Sequence, residues 1–177
     1  MFITTLGDFI SFFAMLVYVS KVSSIVVAAY LIPIKSLGIV FGAITSPYLL
    51  NKLNTKNMII ISQFFSFLAL LTLTINVYLG LHNPTLLIFT SFILSFFKQW
   101  FDNGRETASH SLGNLTTHRI LQSQILNGFF GAQFIGPIVS LVLLSFFPLH
   151  ISIGLDCISF LVATILAMNL FLSEDNS

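Results

Sequence analysis

The chain has 177 residues, of which 56% are hydrophobic and 7% charged, with seven basic and six acidic side chains and a formal net charge of +1. A soluble domain is about 25% charged, or roughly 44 side chains at this length, so the composition excludes an ordinary water-soluble globule and its apolar content excludes disorder. A charge so near zero excludes a nucleic-acid surface, and lipid is the expected solvent.

Six apolar stretches are long enough for membrane helices, which need about 20 residues. The first is 2–19, closed by Ser20, Lys21, Ser23 and Ser24. It has no basic residue before Lys21, contains Asp8 and lacks a small-residue cleavage site, so it reads as a span and not as a signal peptide. The second, 25–50, is followed by the polar string Asn51, Lys52, Asn54, Thr55 and Lys56. The third, 57–79, ends at Gly80, His82, Asn83 and Pro84. The fourth, 84–101, has Pro84 in its first turn and runs into Asp102, Arg105 and Glu106, with Lys98 at its margin. The fifth, 120–147, turns at Pro148 and His150, and the sixth, 151–172, precedes the polar tail 173–177. The runs are continuous and not alternating, which fits helices and not a β-barrel. The expected fold is an all-α integral membrane protein, one domain over 1–177. Lys52, Lys56, Arg105 and Arg119 fall on one side of the bilayer and Lys21 on the other, which predicts a multi-pass protein of the cell (inner) membrane with both termini cytoplasmic.

Charges within spans are costly, about 2.5–3.5 kcal/mol each on insertion scales, and mark candidate functional sites. Asp8 lies in the first span, Lys35 in the second and Asp156 in the sixth. Asp8 and Asp156 are near span ends, where an interfacial position is the simpler reading. Lys35 is too deep to snorkel, so it calls for a carboxylate from another span or a cavity serving a substrate or proton. Lys98–Arg119, with His110 and His118, reads as a helix extension whose charges pair locally, or as a gate latch. Small residues mark close helix contacts: Gly38 and Gly42 in span two, and Gly128, Ala132, Gly136 and Ser140 in span five, where Pro137 adds a kink. Asn76, Gln124, Asn127 and Gln133 are expected to face the bundle interior. Neither metal-ligand spacing nor a phosphate loop nor a nucleophile motif is found, so no cofactor, metal or enzymatic activity is expected.

Several motifs, in order, resemble the amino-terminal half of a major facilitator superfamily transporter, in the branch of macrolide- and siderophore-type exporters. Leu6–Asp8 is similar to the first-span motif. Ser46–Asn57 stands where that family carries its loop-two signature, with Ser46 for the leading glycine, Asn51 at the acidic position, and Lys52 and Lys56 at the basic ones. Asn103–Arg105 resembles the region after span four, Gly136–Ser140 the exporter signature of span five, and Leu155–Leu166 the start of span six. The resemblance implies proton-linked export of a small amphipathic molecule, two six-helix halves rocking about a central site, with Asn51, Lys52, Lys56 and Arg105 in gating roles beside Asp8, Lys35 and Asp156. A chain of six spans then needs a second half, from another polypeptide or from a homodimer. The alternative expectation, favoured by the abrupt start of span one, is a truncated, non-transporting membrane protein or an assembly partner of another transporter. The substrate and coupling ion are not legible in these residues.

Overall fold

The computed structural model describes residues 2–81, 83–111 and 115–174, apart from the side chains of residues 2–4, 22, 109–111, 115–121, 125 and 166–174. Every described element is an α-helix: α1 (Phe2–Val22), α2 (Ile25–Ala29), α3 (Leu31–Lys52), α4 (Thr55–Tyr78), α5 (Pro84–Ser111), α6 (Leu115–Phe146) and α7 (Leu149–Glu174). The second apolar run is thus interrupted at Tyr30. Pro33 has no N–H to give the carbonyl of Ala29, so the helical ladder is broken at that turn. Pro47, inside α3, does not end its helix, and the hydroxyl of Ser46 donates to the Ala43 carbonyl that Pro47 leaves without an amide partner (3.3 Å). Asn83 caps α5 by accepting the amide of Thr85 (3.0 Å), with Pro84 in the first turn as expected.

Among the described residues three helical stretches are long and apolar enough to cross a membrane: Ile25–Lys52 with 28 residues, Thr55–Tyr78 with 24 and Gln122–Phe146 with 25. Leu149–Ile165 is a shorter apolar helix. Large apolar side chains stand on the outside, among them Ile44 at 68% exposure, Phe134 at 76% and Phe146 at 79%, as befits a membrane protein and not a water-soluble one.

Helix α5 lies between α3 and α4, α4 also packs on α7, and α1 is held between α6 and α7, which hardly touch each other. The apolar core joins Ala14, Met15 and Val19 of α1 to Leu31 of α3, Leu70 and Leu73 of α4, Leu87 of α5, and Ile153, Cys157 and Phe160 of α7. The buried face of α4 recurs every three to four residues, at Ile59, Ser62, Gln63, Ser66, Leu70 and Leu73, so one stripe passes from polar to apolar along the helix. The polar part of that stripe faces the charged residues of α1 and α5.

Small residues set the helix spacing where α3 meets α5. A side chain on Gly38 would stand 2.5 Å from the carbonyl oxygen of Phe92, and one on Gly42 would stand 2.7 Å from that of Phe96. Further along the same seam the indole N–H of Trp100 donates to Thr45 Oγ1 at 2.8 Å, and the Asn103 amide donates to Ser46 Oγ. Trp100→Phe removes the first bond while keeping the ring against Phe96, whose centroid is 4.7 Å away. It is expected to cost about 1 kcal/mol, read as a small fall in melting temperature.

The small-residue stripe of α6 is shorter than the sequence pattern implies. Ala132, Gly136 and Ser140 are buried against α1, with the Ser140 hydroxyl donating to the Ile10 carbonyl at 3.1 Å and Gly136 lying over the Phe9 Cβ. Gly128 meets nothing within 4 Å, so no neighbouring helix closes on the stripe at that point. Pro137 is half-buried within the helix. Gln124, Asn127 and Gln133 are exposed, against the expectation that they face inward, since the inner face of α6 is taken by the small residues that let it approach α1. Asn76 is half-buried.

Candidate functional site

The charged residues of four helices meet in one place. Lys98 of α5 donates to Asp8 Oδ2 of α1 at 2.6 Å, with the two side chains 27% and 18% exposed. Lys98 therefore does not pair within its own helix, as the spacing to Asp102 had implied; Asp102 instead meets Arg105 at 3.3 Å. The reason is steric and electrostatic together. The Lys98 stem leaves α5 on the face directed at α1, where serines leave room and the Asp8 carboxylate accepts its ammonium.

Lys35 of α3 borders the same small cavity as Asp8, Ser11, Lys98 and Asp156, a space of about 30 Å³ that holds roughly one water. No carboxylate lies within ion-pairing distance of Lys35 among the described residues. Its ammonium sits 3.9 Å from the centroid of the Phe12 ring and 5.8 Å from that of Phe9, so two aromatic faces of α1 supply its stabilisation. The Phe9 ring in turn meets Phe129 of α6 edge-on at 5.9 Å.

Asp156 of α7 is 3% exposed, so it faces into the helix bundle. Its Oδ2 accepts the hydroxyl of Ser11 at 2.5 Å. Gly7, one turn before Ser11, makes this approach possible, because a side chain there would collide with Asp156 Oδ1. Gln63 of α4 is 2% exposed, borders the Asp8–Lys98 pair from the other side and leaves its Oε1 without a partner.

Serines insulate the cluster from the apolar core. The Ser62 hydroxyl donates to Ile59 O and that of Ser95 to Ser91 O, both at 2.8 Å, so each satisfies its polarity within its own helix and remains available as an acceptor. None of Ser11, Ser62, Gln63, Ser66, Ser91 and Ser95 was singled out by the sequence. The signal was present as pairs four residues apart, Ser62 with Ser66 and Ser91 with Ser95, the latter followed by Lys98 on nearly the same face.

The loop-two residues stand apart from this cluster. Asn51 and Lys52 are exposed, with the Lys52 ammonium turned back over the Tyr48 ring at 4.5 Å. Lys56 is half-buried at the start of α4, and Arg105 lies on the extension of α5 beyond the apolar run. Asn103 and Ser46, the two ends of the quoted loop-two and span-four motifs, do meet across the α3–α5 seam. The side chains of His110, His118 and Arg119, and His82 entirely, lie outside the described residues.

The cluster can therefore hold two cations and two carboxylates within helices that carry few other charges, with one pair bonded and one member of each sign bound otherwise. Such an arrangement can exchange partners, since a change in the charge of Asp8 or Asp156 alters what Lys35 and Lys98 must face. Compared with protein-family models, with curated proteins and with solved structures, the chain matches none of them.

Proposed function

We propose that the chain is a membrane transporter half: a six-helix unit of a proton-linked exporter of small amphipathic molecules, working against a second six-helix unit that is another copy or a separate polypeptide. The reading follows the resemblance to the major facilitator superfamily set out above. The observation that carries it is the Lys98–Asp8 bond of 2.6 Å beside Lys35 and Asp156, because ionisable groups gathered between apolar helices are expensive and persist where charge movement is the task. The exposed amides of Gln124, Asn127 and Gln133 support a partner as well, because hydrocarbon cannot hydrogen-bond them and a water-filled cleft or a second unit can.

The test is efflux of an amphipathic dye such as ethidium from cells that express the chain, with and without a protonophore. Dye should leave only while the proton gradient stands, and Lys35→Met should slow efflux by about tenfold or more. Efflux that is indifferent to the protonophore, or a Lys35→Met protein that exports as well as the parent at equal membrane abundance, would remove the reading in favour of a non-transporting membrane protein.

A further inference from the structure

Consecutive helices α6 and α7 are joined by a short turn at Phe147 and Pro148 yet hardly touch, because α1 is wedged between them. Two cavities, of about 250 Å³ and 260 Å³, follow one another along the groove this leaves. Its floor is one stripe of α1, where Ile10, Ala14, Val17 and Lys21 recur every three to four residues. Leu143 and Phe147 line one wall, and Leu149 and Leu155 the other. Polarity enters only in the inner cavity, with Ser152, Asp156 and Ser159. Phe147 and Leu155 are 47% and 51% exposed, so the groove opens outward between the helices. From Ile10 to Lys21 is eleven residues, about 16 Å of helix at about 1.5 Å each. That matches one leaflet of a hydrocarbon core about 30 Å thick.

An empty apolar groove forfeits the dispersion contacts of its lining, and in a bilayer the material at hand to fill it is hydrocarbon. The polar mouth decides which amphiphile fits. Lys21 is exposed in the last turn of α1, and Tyr18 borders the same cavity, an aromatic of the kind that settles at a membrane surface. Val19, Leu31, Leu73, Leu87 and Leu149 share one core, and Tyr78 meets His150, so the connections on 17–34, 72–90 and 140–155 gather at this end of the bundle. Together they contain no acidic residue and one formal charge, Lys21. The anion that balances this ammonium therefore comes from outside the chain. We propose that the groove binds an anionic phospholipid, with one acyl chain along the α1 stripe and the headgroup phosphate at Lys21. A zwitterionic headgroup carries its own cation, so the site prefers a lipid of net negative charge. Binding here requires no transport, and it is read from stability and not from efflux.

The experiment is thermal unfolding of the full chain in detergent micelles, titrated with phosphatidylglycerol or with phosphatidylcholine of the same acyl chains. Phosphatidylglycerol should raise the melting temperature to a plateau, half-saturating at about fivefold less lipid than phosphatidylcholine. Lys21→Gln should remove that preference and Lys21→Arg should keep it. Both changes fall on an exposed helix end, so the core is left intact. Val17→Phe, which fills the groove, should weaken both lipids alike. Sodium phosphate at matching concentration should leave the melting temperature unchanged, and a rise equal to that with phosphatidylglycerol would assign Lys21 to a free anion and overturn the proposal. Equal action of the two lipids, or a preference that survives in Lys21→Gln, overturns it as well. So does stabilisation that follows protein concentration and not added lipid, which would give the groove to a second copy of the chain.

Discussion

Asp8→Asn is expected to destabilise the protein by about 3 kcal/mol, the cost of leaving one member of a largely buried ion pair without its partner. The loss falls on Lys98, whose ammonium is bonded to Asp8 at 2.6 Å and is left facing serine hydroxyls and the edge of a 30 Å³ cavity. Asp102, one turn further along α5, is bonded to Arg105 and stands 33% exposed, too far out to replace Asp8. The reverse change, Lys98→Met, should cost less. It strands the Asp8 carboxylate, but Lys35 borders the same cavity and can leave its place over Phe12 for the vacated oxygen. Asp8→Asn/Lys98→Met should recover most of the loss of Asp8→Asn alone, since neither an ammonium nor a carboxylate then needs a partner. Unfolding free energies of the three variants in detergent make a double-mutant cycle. Additive losses would show that the pair contributes nothing as a pair.

Composition made the helices legible and left their faces hidden. Most apolar runs ended at polar residues close to helix ends, so five of the six stretches fall within a few residues of α1, the α2–α3 run, α4, α6 and α7, whereas α5 continues past its run to Ser111. The break at Tyr30 was present in Pro33, whose missing N–H acts one turn earlier. Gly38 and Gly42 were readable as contact points because only close backbone approach makes use of two glycines four apart. Gly128 belonged to the same stripe on paper yet meets no neighbour within 4 Å, since a pattern along one helix says nothing of where the neighbouring axis diverges. The charged residues show the same limit. Asp8, Lys35 and Asp156 were conspicuous through their cost in an apolar run, but their partners were set by the packing of separate helices: Lys98 for Asp8, two phenyl rings for Lys35 and Ser11 for Asp156. Ser11 is 145 residues from Asp156 along the chain, and no local periodicity couples positions that far apart.

Gly38→Ala is expected to cost about 2 kcal/mol, within the range for overpacking a tight contact, because the atom it strikes belongs to backbone. The new methyl would stand 2.5 Å from the Phe92 carbonyl oxygen and 3.0 Å from the Ser95 Cβ, and a carbonyl held in a helical ladder cannot turn aside as a side chain can. Relief requires α3 to back away from α5, which also stretches the Trp100–Thr45 and Asn103–Ser46 bonds on the same seam. Gly42→Ala presses on the next turn, 2.7 Å from the Phe96 carbonyl oxygen, and the same displacement relieves both. The double variant Gly38→Ala/Gly42→Ala should therefore cost clearly less than the two losses added together. Gly128→Ala, with nothing within 4 Å, should cost nothing and serves as the control. The displacement has a second consequence, because Lys35 is one turn from Gly38 on the helix that must move. Its ammonium would be carried away from the Phe12 ring and from the cavity it shares with Asp8 and Lys98. A methyl group placed in a helix contact should thus lower both the melting temperature and any efflux, whereas Gly128→Ala lowers neither. Equal stability of Gly38→Ala and Gly128→Ala would mean that the α3–α5 seam is looser than the glycine contacts require.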